Sequence, residues 1–488
     1  MSGKRALVVG SGAGGAVCAF ELATAGWDVT VIEEGGAFAL EDYGQSAERA
    51  MALLYRHRGM TPLLGANPIA YVEGCCVGGS TEINSGFWRR TPDATLDEWA
   101  TDYDLRGASA GDLEPHFVWA EAALHVGLHA GKWPTSTALF AHGATTLGWA
   151  HHEVPRIAPN CRGTNRCASG CPTGAKQGVS QSLLPRAQAA GARLLTHARV
   201  HQIHGDAPHA QRVEILRHEP GQPPQTEWLT ADAVFLACGA TETPALLRRS
   251  GIHHNIGDSL QIHPMLKVLA EFPSSVGGLS SVLPLVQITE FAPDISLGGS
   301  YLTPGHAAVL LADNWPQGRD VMTRLDRVAA YYVAVRGRGH GSVRPATADA
   351  TRSTLRYAMA PQDVELLTQG LRHLARVLFA AGALAVHTGV TSMPTLTSAQ
   401  HAERALHAPL RADSLNLSTV HAFASCPIGE RQAKTAANSF GKLWGWQNLI
   451  LADASCLPSS PGVNPQATVM ALARRNVRAW ISDHAATR

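Results

Sequence analysis

The chain has 488 residues, 45% of them hydrophobic and 16% charged, with 40 Lys+Arg against 39 Asp+Glu and a formal net charge of +1. That length supplies two or three domain-sized cores, and a balanced charge without a basic run excludes nucleic acid as an expected partner. No apolar stretch reaches the ~20 residues of a membrane helix, no secretory leader precedes the first apolar strand, and nine cysteines are too few for a disulfide scaffold. A cytoplasmic setting is therefore the default expectation, with export alongside a partner subunit as the alternative.

Ala6-Leu-Val-Val-Gly10 reads as a short buried strand. Gly10-Ser-Gly12-Ala13-Gly14-Gly15 follows, then a helical pattern (Ala16, Cys18, Ala19, Leu22, Ala23) closing near Gly26, then a second strand, Asp28–Ile32, leading to Glu33. This is the order a dinucleotide site requires. Gly10 permits the tight turn, Gly12 lets backbone approach a pyrophosphate, and Gly15 lets helix and strand pack closely. The helix N-terminus offers free N–H groups to phosphate, and Glu33 is placed to accept from ribose hydroxyls. Glu34 adds a second acid that disfavours a 2′-phosphate. The motif alone does not separate FAD from NAD.

Gly74-Cys-Cys-Val-Gly78-Gly79-Ser80-Thr-Glu-Ile-Asn84 is a glycine-rich loop expected to run into a helix, and residues 91–154 follow a mostly helical pattern. Cys161, Cys167 and Cys171 then form a C-x5-C-x3-C-P run. One loop of that spacing can wrap three thiolates around an iron–sulfur cluster, and three ligands match a [3Fe–4S] type. A [4Fe–4S] cluster would need Cys75 or Cys76 as well. Zinc would want a fourth ligand, such as His151 or His152. A purely structural loop is the third reading. Cys18, Cys238, Cys426 and Cys456 read as buried structural thiols.

Val234 to Ile252 reads as a strand, a turn at Gly239 and a helix. The stretch 266–414 has strands at Met265 to Phe272 and Tyr331 to Val335 and a helix over Pro361 to Ala380. Near the C-terminus come His421-Ala-Phe-Ala-Ser-Cys-Pro-Ile-Gly429 and Leu449 to Thr468, the latter opening a final helix through Ala471 and Ala473. There is no internal repeat.

Taken together, these segments resemble the glucose–methanol–choline (GMC) family of FAD oxidoreductases, in pieces over residues 5–265 and almost continuously over 415–482. Two departures are His253 and Ala424, where the family pattern usually has glycine. The resemblance implies an α/β fold. A Rossmann-like FAD-binding domain would be assembled from 1–90, 155–265 and 415–488, and a substrate or cap domain from 91–154 and 266–414, whose mostly antiparallel sheet roofs the flavin. It also implies FAD held by Gly10, Gly12, Ala13, Gly14, Gly15 and Glu33. Gly78, Gly79, Ser80 and Asn84 would line the pyrophosphate and isoalloxazine edge, with Val200 at the adenine and Gly239, Asp453 and Ala454 nearby. Asn464, Pro465 and Thr468 would open a helix toward the flavin pyrimidine ring, where a positive dipole end stabilises reduced flavin. Arg336 to Arg344 resembles the family's hairpin turn. The cysteine loop is similar both to that of the catalytic subunit of bacterial FAD glucose dehydrogenases, which carries a [3Fe–4S] cluster, and to the Gly-Cys-Pro loop of long-chain alcohol oxidases.

Oxidising an alcohol requires a base at its hydroxyl while hydride leaves from carbon. By the resemblance His421 is that base, and Asn464, able to donate and accept but not to act as base, holds the substrate oxygen. The expected function is FAD-dependent oxidation of a primary or secondary alcohol, sugars and polyols included. Electrons would leave through the iron–sulfur cluster to an electron-accepting protein or quinone. The alternatives are an oxidase of the same family that uses dioxygen and keeps the cysteine loop for structure, and an FAD-containing hydroxynitrile-type lyase.

Overall fold

A computed structural model describes residues 4–218, 222–346 and 352–485. Its first layer is a five-stranded parallel sheet in the order Leu449–Leu451, Ala233–Leu236, Arg5–Val9, Asp28–Ile32, Arg193–Leu195. Arg5–Val9 and Asp28–Ile32 each bury all but their first residue, the continuous apolar run of a strand covered on both faces. The helix Ala13–Thr24 packs against Gln466–Ala485 and Leu183–Ala189, and a three-stranded antiparallel meander, Ala198–His204, Arg212–Arg217 and Gln225–Leu229, flanks the sheet.

The turn between first strand and first helix is tight because two glycines make it so. Gly10 sits at φ +98°, and a β-carbon on Gly15 would collide with the carbonyl oxygen of Gly10. Helix and strand therefore approach as the sequence requires.

The second layer is an eleven-stranded mixed sheet. Its centre is antiparallel: Met265–Glu271 pairs with Val328–Val335, which pairs with Ile295–Ser300, then Val286–Ile288 and His151–Glu153. The amphipathic helix Pro361–Ala380 covers one face with buried Leu367, Leu371, Leu374 and Leu378. The other face looks toward the parallel-sheet layer and roofs a cavity.

Several segments cross the domain limits expected from sequence. Thr61–Leu64, Ile69–Tyr71 and Ser418–Thr419 all belong to the larger sheet. Helices Asp93–Tyr103 and Ala110–Ala123, expected in the cap, place Leu96, Trp99, Leu113 and Phe117 in the core of the parallel-sheet layer. The glycine-rich loop does not run into a helix. Only a 3-10 turn forms at Gly79–Thr81, because the carbonyls of Glu82 and Asn84, which a continuing helix would use, are taken by Lys176 Nζ at 2.7 and 2.9 Å. Arg336 to Arg344 is not a hairpin either: Val328–Val335 and His340–Pro345 pair with different strands. Its arginines are drawn into ion pairs, Arg336 with Glu98, Arg338 with Asp294 and Arg344 with Asp258. Among the described residues no helix is long and apolar enough to cross a membrane.

Candidate active site

One continuous cavity runs from the N-terminal glycine turn to the roof sheet. Gly10, Gly12, Ala13, Gly14, Glu33, Gly79, Ser80, Asn84, Val200, Gly239, Asp453, Ala454, Pro465, His421 and Asn464 all line it. Three expected residues do not. Gly15 works behind the wall in helix–strand packing; Gly78, at φ +92°, turns the chain over the side chain of Glu82; and Thr468 is fully buried against Thr91, hydroxyl to hydroxyl at 2.8 Å.

At the turn end, the helix Ala13–Thr24 starts without a side-chain cap at Gly12, and nothing lies within 4 Å of where a Gly12 β-carbon would be. Its first N–H groups therefore face open cavity, the arrangement that receives phosphate. A β-carbon on Gly14 would collide with the carbonyl of Ala452, and one on Gly79 would come within 3.1 Å of Gly12 Cα, so two glycine loops meet here backbone to backbone. Glu33 closes the turn: its carboxylate accepts from Ser11 N at 3.0 Å, Ser11 Oγ at 2.6 Å and Gly35 N at 2.9 Å. Burial pushes its pKa up despite these donors. Burial would raise Glu34 as well, but Arg56 and Arg199 on either side hold it down at about 2. Beside them the buried Nη1 of Arg249 has no hydrogen-bond partner among the described residues, an unmet donor on the cavity wall. A cradle of backbone N–H groups, close glycines and one unmet guanidinium N–H fits the FAD that the sequence implies.

At the roof end, His421 stands between two side chains. Its Nδ1 lies 3.0 Å from His263 Nδ1, and its Nε2 lies 3.3 Å from Asn464 Nδ2. His263 Nε2 continues to Ser460 Oγ at 2.9 Å, and Ser460 N donates to Gln261 Oε1 at 2.7 Å. Burial lowers the pKa of His421 to about 4 and that of His263 well below its usual value. With both rings neutral, one proton assignment satisfies the chain: His421 donates Nδ1–H to His263, and His263 donates Nε2–H to Ser460. The lone pair of His421 Nε2 then faces the cavity beside Asn464. Sequence reasoning missed His263 and Ser460. The one available signal was alternation, since His263, Met265 and Lys267 all line the cavity and so share one face of an extended segment.

Asn464 is not spent on capping; its amide reaches His421. Asn84 Nδ2 donates to Gln466 Oε1 at 2.7 Å, tying the glycine-rich loop to the start of the last helix. Asp453 accepts from Gly239 N at 2.9 Å, Thr243 Oγ1 at 2.5 Å and Ser455 N at 2.7 Å, and so holds the third glycine turn. Ala424 adopts the left-handed backbone that favours glycine, at φ +60°, pinned by Ala424 N to Ala454 O at 3.1 Å and Ser259 Oγ to Ala424 O at 2.6 Å.

The cysteine run does not form the expected ligand set. Among the described residues no three His, Cys, Asp or Glu side chains are gathered to hold a metal. Cys161 packs with Val282, Leu283 and Leu285. Cys167 is buried with its Sγ 3.3 Å from Arg156 Nη2, and Cys171 Sγ lies 3.4 Å from Thr173 Oγ1. His152 is turned to Arg89 and His151 to the carbonyl of Trp149, so neither completes a zinc site. The loop is instead clamped: Tyr55 OH donates to Ala168 O, Gly44 N to Ser169 O, and Lys176 Nζ to Cys167 O. These residues do not fit a cluster or a zinc ion.

The GMC oxidoreductase pattern matches residues 5–265 with its N-terminal part and 337–473 with its C-terminal part. An uncharacterised GMC-type oxidoreductase of Sinorhizobium fredii is 38% identical over 98% of this chain and 94% of its own length. A long-chain-alcohol oxidase of Arabidopsis thaliana is 26% identical over 96% of this chain and 67% of its own, and a 2-methyl-1,2-propanediol dehydrogenase of Mycolicibacterium austroafricanum 24% over 96% and 93%. Among solved structures, pyridoxine 4-oxidase from Mesorbium loti superposes with a TM-score of 0.71 over 98% of this chain and 99% of its own, at 17% identity. The chain belongs to the GMC oxidoreductase family.

Proposed function

We propose that this chain is an FAD-dependent enzyme that oxidises the CH–OH group of an alcohol. The observation that carries the reading is His421, held neutral on the cavity wall with its Nε2 beside Asn464 Nδ2. FAD, when bound, supplies the acceptor for the hydride. A substrate hydroxyl entering between the two side chains donates to His421 Nε2 and accepts from Asn464 Nδ2. His421 takes that proton, and His263, already fixed by Ser460, accepts its Nδ1–H and keeps the ring from turning. Asn464 holds the oxygen as it becomes a carbonyl. The clamped cysteine loop favours a bracing role over an electron relay.

The test is anaerobic mixing of the FAD-loaded protein with a panel of primary and secondary alcohols. Loss of the oxidised-flavin absorbance with at least one alcohol, abolished in His421→Ala, is expected. A flavin that no alcohol reduces would overturn the reading in favour of a lyase. Oxygen uptake, against reduction of a quinone or protein acceptor, then identifies where the electrons go.

A further inference from the structure

Register places a polar row across the roof sheet. Lys267 pairs with Tyr332, Tyr332 with Gly298, Gly298 with Gln287, and Gln287 with His152. Directly paired residues share a face, and Lys267, Tyr332 and Gln287 line the cavity. Gly298 leaves room for the ring of Tyr332, which a β-carbon there would crowd.

Most of this row is internally satisfied. Gln287 Oε1 accepts from Arg89 Nη1 at 2.5 Å, and its Nε2 donates to Tyr332 OH at 3.0 Å and to Ser296 Oγ. Arg336, also on this side, is neutralised by Glu98. Lys267 is the exception. Among the described residues its Nζ has neither a hydrogen bond nor an ion pair; the ring of Tyr301 lies 5.6 Å away. The carboxylates that line the cavity are Glu33, Glu34, Glu73, Glu242 and Asp453. All serve the dinucleotide end: Glu33 and Asp453 hold glycine turns, and Arg56 and Arg199 tie up the others. Burial alone pulls Lys267 down to about 8, and burial, with the Lys267 ammonium adding to it, lowers His306 to about 4. A cation held inside protein without a counter-charge is costly, and here it faces the space a substrate enters.

We propose that Lys267 is a specificity residue that selects an alcohol carrying an acidic group, such as a carboxylate, at the far end of an extended chain from the hydroxyl to be oxidised. The inference rests on the alcohol reading above. His421 meets His263, and Lys267 stands four residues further along that segment, up to about 13 Å away along an extended backbone, with both side chains on the cavity. An extended chain therefore suffices to bring a hydroxyl to His421 and an acid to Lys267.

The experiment compares ω-hydroxyalkanoic acids with their methyl esters as reductants of the FAD-loaded protein, and titrates inert straight-chain carboxylates into its oxidised form while following the flavin spectrum. The acids are expected to exceed their esters in kcat/KM by roughly 10- to 100-fold, the range of a charge-assisted hydrogen bond. Lys267→Met should erase that ratio and the carboxylate-induced spectral change, while Lys267→Arg keeps both. Lys267→Gln serves if the Met variant fails to retain FAD. Esters that match or beat their acids, or a preference that survives removal of the lysine, would overturn the proposal. If no alcohol of either kind reduces the flavin, the alcohol reading fails. The carboxylate titration then decides Lys267 by itself: binding lost in the variant upholds it, and equal binding sinks it.

Discussion

Nδ1 of His421 meets Nδ1 of His263 at 3.0 Å, with the rings nearly perpendicular at 88°. Two nitrogens at that distance share one proton: His421 donates it and His263, which must be neutral, accepts. The pair thus fixes the tautomer that leaves the Nε2 of neutral His421 as the basic nitrogen. Its pKa of about 4, set by burial, gives the sign of the pH dependence. The base is unprotonated above that value, so the rate of flavin reduction is flat through neutral pH and falls as pH drops toward about 4. His421→Ala should lower the rate by roughly 10²- to 10⁴-fold, the usual worth of a positioned base. Stopped-flow flavin reduction across pH checks both.

His263→Phe keeps a planar ring, slightly larger, and removes the acceptor for His421 Nδ1–H. A buried donor is then unmatched, and the catalytic ring loses its orientation. Flavin reduction should slow by about tenfold or more while substrate affinity changes less, which marks a positioning residue. Stability is affected as well. Both histidines have folded pKa values below the usual 6.5, so the unfolded chain binds more protons between the two values. Their contribution is present above about 6.5 and is lost as pH falls toward 4. The Phe variant should show a shallower loss of flavin-release temperature between neutral and acid pH than the parent.

The two glycines Gly12 and Gly14 separate folding from cofactor binding. A methyl on Gly14 meets backbone at Ala452, whereas one on Gly12 meets only open cavity. Gly14→Ala should destabilise the fold by roughly 1–3 kcal/mol or more through overpacking. Gly12→Ala should fold normally yet bind FAD more weakly, because its methyl occupies the approach of the pyrophosphate. Circular dichroism melts of the apo-forms, set beside flavin titrations, distinguish the two.

The glycine turns were legible in sequence because each requirement is local: a positive φ at Gly10, or a close helix at Gly15, depends on residues within one turn. His421 and Asn464 were legible only through family resemblance. His263 was not, since its partner lies 158 positions away and pairing depends on register. The polar row is harder still, drawn from five strands between His152 and Tyr332. The cysteine run misled for a physical reason. Spacing fixes how far apart three sulfurs can be, but the direction of each depends on what the loop packs against. Here Tyr43 packs on Gly170 and Pro172 on Gly44, and the sulfurs turn to three different neighbours.

That loop yields the last prediction. Lys176, 2% exposed, donates to the carbonyls of Glu82, Asn84 and Cys167 at 2.7, 2.9 and 3.0 Å, so one ammonium joins the cavity wall to the cysteine loop. Lys176→Met fills similar volume but leaves three buried carbonyls without that donor, at about 1–3 kcal/mol for each unmet group. The variant should release flavin at a markedly lower temperature, because Asn84 lines the site. Cys167→Ser still offers Arg156 an oxygen acceptor and should cost far less. If the lysine braces the loop and no cluster forms, protein purified without oxygen will hold iron far below stoichiometry, and the serine variant will be reduced by substrate as fast as the parent. Stoichiometric iron with acid-labile sulfide, lost in Cys167→Ser, would restore the electron relay and make Lys176 the counter-charge to bound thiolates.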